Sequence, residues 1–312
     1  MNFQFTFPIP ENETKIHFGV PIIFMGSCFS DEIGNEASFS GLQSLSNPFG
    51  TLFHPFAIGQ TILDSLNNEQ TCDTVQQNDV FFHWGSAGKV HGYSENEIKN
   101  TVNEIRLQLR SQLQQASHLF ITFGTAKGYQ LKSSQKIVAN CHKQAPSNFE
   151  VIHSKRDEIV EFWKPILVQL FEFNPKLQVV FTVSPVRHLK DGIIENNRSK
   201  SNLLLAVERL SEIQNCSYFP SYEIVMDELR DYRFFKNDFA HPNELAIQYV
   251  WERFSHTFLT EKTRKQMDQV RAIKTSLNHK GMYLKSMKLA EHHGNTLNRK
   301  AKLDSEIEGI WW

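Results

Sequence analysis

At 312 residues, with 40% hydrophobic and 21% charged side chains, the chain is long enough to bury a substantial core and has the make-up of an ordinary globular protein. Its formal charge of -1 gives no bulk attraction to nucleic acid or to an acidic membrane surface, so any partner has to be read from a site. Four scattered cysteines, Cys28, Cys72, Cys141 and Cys216, form no CxxC pair, which argues for free thiols over a disulfide framework or a zinc ribbon.

The opening MNFQFTFPIP has no basic segment and no long apolar run, so neither a signal peptide nor a membrane anchor is visible and a cytoplasmic location is expected. The run VPIIFM from Val20 to Met25 is continuously apolar and stops at Gly26, as in a strand buried on both faces of a parallel sheet. Behind it, Gly26-Ser27-Cys28-Phe29-Ser30 reads as a turn into a helix that begins near Ser30. Ile98, Val102, Ile105, Leu109 and Leu113 then fall on one helical stripe, and HLFITF from His118 to Phe123 is the next central strand. A second stripe, Ile159, Trp163, Ile166, Leu170 and Phe173, precedes a third strand from Leu177 to Val183.

Further helices are expected over Ser199 to Ile213 and after His241, where Pro242 suits a first turn and Leu245, Tyr249 and Phe254 continue inward. Strand and helix in alternation mean α/β with a largely parallel sheet. After about Thr260 basic residues outnumber acidic ones and large aromatics are absent until Tyr283, then Trp311 and Trp312. A domain over residues 1–260 and a basic helical extension over 261–312 follow, the extension read as solvated, with the terminal tryptophan pair hinting at docking.

A serine in the first strand–helix turn lies where open sheets of this class bind ligands, although on position alone a capping role for Ser27 is the stronger reading. Asp238-Phe239-Ala240-His241-Pro242-Asn243 alters that balance, because a hydroxyl nucleophile needs a base and the base needs a group to fix its tautomer. Cys28 is a rival nucleophile at a helix N-terminus, with a small buried thiol as its plain structural reading. The thirteen histidines offer His83, His91, His142 and His188 as companions of His241, but their spacings match no zinc motif, and no metal or cofactor is expected.

The motifs GSCFS (Gly26 to Ser30), NPFG (Asn47 to Gly50), FGTA (Phe123 to Ala126), VANCHK (Val138 to Lys143), FTVSPVRHLKDG (Phe181 to Gly192), YFPSYEIVMDELRDYRF (Tyr218 to Phe234) and DFAHPN make the chain resemble the GSCFA family, a bacterial branch of the SGNH (GDSL-like) hydrolases. The resemblance implies a three-layer α/β/α, flavodoxin-like fold with a central parallel sheet. It further implies a triad of Ser27, Asp238 and His241, which favours Ser27 over Cys28. By the same resemblance the oxyanion hole takes the N–H groups of Ser27 and Gly50. The asparagine of the third SGNH block is missing from Gly124-Thr125-Ala126, so Thr125 or Asn140 would supply the third donor.

Asn47, His142, Arg187 and His188 sit in motif loops as candidate substrate contacts, Arg187 having Asp191 or Asp227 as alternative ion-pair partners. The charged run from Asp227 to Phe235 reads as ion pairing that stiffens the Asp238 loop. Polar motif loops point to a short acyl ester on a polar carrier, such as an acetylated carbohydrate, with no nucleic-acid or membrane partner. An O-acyltransferase with the same triad and an inactive binding protein of the same fold are the alternatives.

Overall fold

The computed structural model describes residues 5–278 and 287–312, so Tyr283 lies outside the described residues. The strands in chain order are β1 (Ile22–Gly26), β2 (Ser44–Ser46), β3 (Thr74–Gln77), β4 (Val80–His83), β5 (His91–Gly92), β6 (His118–Phe123), β7 (Lys127–Leu131), β8 (Ile137–Val138), β9 (Phe149–His153), β10 (Gln178–Val183) and β11 (Cys216–Tyr218). The helices are α1 (Cys28–Phe39), α2 (Pro55–Leu66), α3 (Glu95–Gln115), α4 (Arg156–Phe173), α5 (Ile193–Ser211), the single turn α6 (Ser221–Glu223), α7 (Glu244–Phe258), α8 (Glu261–Asn278) and α9 (Met287–Glu306).

Five strands pair in parallel in the order β11-β10-β6-β1-β2. This is the flavodoxin-like order, which reverses between β1 and β6, and ligands of such sheets bind beyond the carboxyl ends at that point. Alternation along the strands builds three layers. Ile23, Met25, Ile121 and Phe181 pack with α2, α3, α4 and α5 in one core. Ile22, Phe24, Phe120 and Val180 face α1 and α7 in the other.

The three central strands and the two stripes stand where the sequence puts them, with Ile98, Val102, Leu109 and Leu113, and Ile159, Trp163, Ile166 and Leu170, fully buried. Three boundaries differ. α1 begins at Cys28 rather than near Ser30, because Ser27 itself caps it. α5 begins at Ile193, six residues before Ser199, since Gly192 at φ +83° turns the chain into the helix early. α7 is capped by Asn243, whose side chain accepts from the Ala246 N–H, and this frame leaves Leu245 exposed and turns Ile247, Val250, Trp251 and Phe254 inward. The small antiparallel sheets β3-β4-β5 and β8-β7-β9 are insertions whose short strands carry no clear alternation.

The C-terminal helices pack on the domain. Arg271 Nη1 reaches Glu36 at 2.7 Å and Ser40 at 3.0 Å, while the Trp311 N–H donates to Gly41 O at 2.8 Å. Val270, Ile273, Leu303 and Ile307 form a separate small core with Phe18, Ile310 and Trp312. The tryptophan pair was the sequence signal for this docking, which a net basic composition obscured.

Gly26 ends β1 at φ +132°, and a Cβ there would lie 2.1 Å from Thr122 O. Gly26→Ala is therefore expected to destabilise the fold by at least about 3 kcal/mol, through both the backbone conformation and the clash with β6. A urea midpoint indistinguishable from that of the wild type would contradict this.

Candidate active site

The loop before α7 holds a histidine–aspartate pair. Asp238 Oδ2 lies 2.7 Å from His241 Nδ1, while Oδ1 accepts from the N–H groups of Ala240 at 2.9 Å and His241 at 3.0 Å. These backbone donors, His241 first, and then the imidazole hold the Asp238 carboxyl well below the usual carboxylate range. An ionised carboxylate on Nδ1 fixes the tautomer that leaves Nε2 free to accept a proton.

The DxxH spacing works because Phe239 adopts a left-handed φ of +56°, which folds the loop back over the carboxylate. The loop is then fixed from outside. Arg187 donates from Nη1 to Phe239 O at 3.0 Å and from its N–H to Ala240 O at 3.2 Å, with its guanidinium 4.5 Å above the Phe235 ring. The Lys236 N–H donates to His241 O at 2.8 Å. Backbone bonds and Arg187 thus do the stiffening assigned to the Asp227–Phe235 run. In that run Asp231 bonds its neighbour Arg233, and Glu228 pairs with Arg253 of α7 at 3.2 Å. Arg187 does not pair with Asp191, which Lys127 engages instead.

A cavity of about 570 Å³ opens at this edge, lined by Phe53, Thr125, Lys127, Tyr129, His188 and His241 among others. Burial pushes His188 down to about 4, so its imidazole is neutral near pH 7, and it meets Phe53 edge-on at 5.3 Å. His54 caps α2 by accepting from the Phe56 N–H at 3.2 Å, and burial pushes it down to about 4 as well. His83 and His118 are buried to the same effect. Between about pH 4 and 6.5 the unfolded chain binds protons at these four positions that the folded chain does not. Stability should then fall as pH drops through that window, by about 1 kcal/mol per pH unit for each histidine. Urea unfolding at a series of pH values tests this; a flat profile from 6.5 to 4 would rule it out.

At the carboxyl end of β1, Ser27 is wholly buried at 0% exposure. Its Oγ accepts from the Phe29 N–H at 3.3 Å, its N–H donates to Thr122 O at 3.1 Å, and it makes no hydrogen bond to His241. Asn47, at φ +42°, accepts from the Gly26 N–H at 2.8 Å and donates to Ser27 O at 3.3 Å, so both ends of its carboxamide hold this turn. The Gly50 N–H donates to Asn47 O at 2.8 Å. Thr125 donates its N–H to Phe53 O at 3.1 Å, and its hydroxyl lies 3.0 Å from both Ser199 Oγ and the Lys127 nitrogen. The backbone N–H groups of Ser27, Gly50 and Thr125 therefore each have a carbonyl partner in this arrangement.

Asn140 is exposed and accepts from the His142 N–H at 2.8 Å. His142 lies stacked on Phe82 at 4.6 Å, its Nε2 3.0 Å from His83 O. Among the sequence candidates, Asp238, His241, Arg187, His188 and Thr125 thus share the cavity wall, and Asn140, His142, Ser27, Asn47 and Gly50 are not on it.

Lys200 was not foreseen. It is fully buried in α5, with Nζ donating to Gly124 O at 2.6 Å and Ser184 O at 2.7 Å, directly past the ends of β6 and β10. The signal was present, since Lys200 falls on the stripe Asn196, Leu203, Val207 and Leu210 that buries α5. A lysine on an apolar stripe has to find acceptors inside.

A parallel sheet in flavodoxin-like order, with an aspartate-held histidine on the wall of a cavity, defines a three-layer α/β protein. The chain belongs to the GSCFA family, whose model matches residues 21–254. Comparison with curated proteins finds no match. Among solved structures, a carbohydrate esterase family 3 protein from Talaromyces cellulolyticus superposes with a TM-score of 0.37 at 8% identity, over 81% of this chain and 99% of that one. An acetyl xylan esterase from the rumen bacterium Butyrivibrio proteoclasticus gives 0.39 at 11% identity, over 77% of this chain and 63% of that one. Likenesses at such scores carry no inference about activity. Among the described residues no helix is long and apolar enough to cross a membrane.

Proposed function

We propose that this protein hydrolyses carboxylic esters at the carboxyl edge of its sheet, with a short acyl group on a polar carrier such as an acetylated carbohydrate as substrate. The observation that carries the reading is the His241–Asp238 contact of 2.7 Å on the wall of the cavity. The nucleophile comes from the Ser27–Cys28 turn, where the family resemblance points to Ser27. His241 takes the nucleophile's proton as it attacks the ester carbonyl, Asp238 offsets the imidazolium charge, and the alkoxide leaves with that proton. Water then releases the acyl enzyme by the same route.

Phe53 and Tyr129 offer faces for a sugar ring, and Lys127, Arg187 and His188 offer polar partners, which suits a hydrophilic carrier better than a long alkyl chain. Initial rates on p-nitrophenyl acetate, butyrate and octanoate and on an acetylated xylo-oligosaccharide test this. Acetate and the acetylated sugar should be turned over fastest. A preference for octanoate would overturn the substrate assignment, transfer of acetyl to an added sugar in place of release would make the protein an acyltransferase, and no turnover of any ester would leave a binding protein.

A further inference from the structure

Resting on the hydrolase reading above, we infer that the attacking atom is the sulfur of Cys28, and that Ser27 is the cap that presents it. A nucleophile in this turn must be reachable, must lie on the histidine's side and must be free of prior hydrogen bonds. Ser27 fails the first and the last: it is at 0% exposure, its Oγ serves the Phe29 N–H, and its own N–H is spent on Thr122 O.

Cys28 differs in exposure and in hydrogen bonding, although like Ser27 it is not among the residues that line the His241 cavity. It is partly exposed and opens α1, and its own N–H lies beside its sulfur, where it can turn to the oxyanion. Its side chain shares a helix face with Glu32, four residues on. Glu32 pairs with Lys236 at 3.6 Å, and the Lys236 N–H holds His241 O at 2.8 Å, so that face of α1 looks onto the histidine loop. The buried Lys200 ammonium, held by Gly124 O and Ser184 O, is near enough to act on the sulfur electrostatically.

Burial, with Asp31 and Glu32 adding to it, pushes the Cys28 thiol up, while Lys200 works in the opposite direction. The thiol is thus protonated at rest, and a base has to remove its proton during attack. The S–C bond forms as the proton passes from Sγ to His241 Nε2 and the carbonyl π pair moves onto oxygen. Collapse of that oxyanion breaks the ester C–O bond, and the leaving alkoxide takes the proton from His241. Water then attacks the thioester with His241 accepting its proton, the thiolate leaves, and His241 returns the proton to sulfur. No redox partner enters.

The test combines alkylation with turnover. With limiting iodoacetamide near neutral pH and peptide mass mapping, Cys28 should be modified at least about tenfold faster than Cys72, Cys141 or Cys216, and less selectively in His241→Ala. Hydrolysis of p-nitrophenyl acetate should be lost in Cys28→Ala and fall by less than about tenfold in Ser27→Ala, which removes the cap, with Cys28→Ser as the variant that preserves shape. Selective, His241-dependent alkylation without any ester turnover would uphold the Cys28–His241 pair while refuting the hydrolase reading. Loss of turnover in Ser27→Ala with retention in Cys28→Ala would overturn the inference and leave the hydrolase reading intact. Alkylation of Cys28 no faster than of the other three cysteines would also overturn it.

Discussion

His241→Ala is expected to lower kcat/KM for p-nitrophenyl acetate by about a thousandfold with little change in the unfolding midpoint. The side chain is partly exposed and, among the described residues, its ring bonds to Asp238, so little packing is lost with it. Without it, neither hydroxyl nor thiol has a base within the loop. Asp238→Asn should cost about a hundredfold or more by a different route, since an amide can present an N–H to Nδ1 and favour the wrong tautomer. Asp238 also accepts two backbone N–H groups that shape the loop, so the stability of this variant has to be measured beside its rate. If His241→Ala stays within tenfold of the wild type, the pair is not the catalytic base.

Lys200→Met should change how stability depends on pH more than any surface substitution. Burial pushes the Lys200 ammonium down to about 7, against about 10.5 in the unfolded chain. Below pH 7 both states hold the proton and the cost of burying it is constant. Between about 7 and 10.5 only the unfolded chain holds it, so the wild type should gain stability as pH rises, by at most about 1.4 kcal/mol per pH unit. A neutral amine still has two N–H groups, which is enough for Gly124 O and Ser184 O. The Met variant lacks this slope and leaves two buried carbonyls unpaired, which costs about 1–3 kcal/mol each. Urea unfolding of both proteins at pH 7 and pH 9 is the check, and parallel pH profiles would contradict the assignment.

Much of the scaffold is readable from residue order, because strands buried on both faces are continuous apolar runs and covering helices keep a 3.6-residue stripe. His118 to Phe123 and the Ile98–Leu113 stripe carry their structure on their face. The site is only half legible. Asp238 and His241 are close in sequence and declare their contact, whereas Lys200 meets Gly124 and Ser184 through tertiary folding alone. The start of α1 turns on a single capping serine, and a shift of two residues there makes Cys28 rather than Ser30 the opening residue of the helix. Motif brings out Ser27, Gly50 and Thr125 as loop donors, but it cannot show that Thr122 O, Asn47 O and Phe53 O already occupy their N–H groups. Asn140 and His142 share a motif segment with the cavity residues Val138 and Ala139, yet neither lines the cavity.

If the Ser27–Cys28 turn carries the nucleophile and His241 the base, an acyl enzyme can be trapped on that turn. The wild type is mixed with excess p-nitrophenyl acetate, quenched in acid within the first turnovers, digested and mapped by mass spectrometry. One acetyl group is expected, on the peptide containing Gly26 to Ser30, absent from His241→Ala treated in the same way. Steady turnover with the acetyl group on another segment, or equal labelling of the His241→Ala protein, would contradict it.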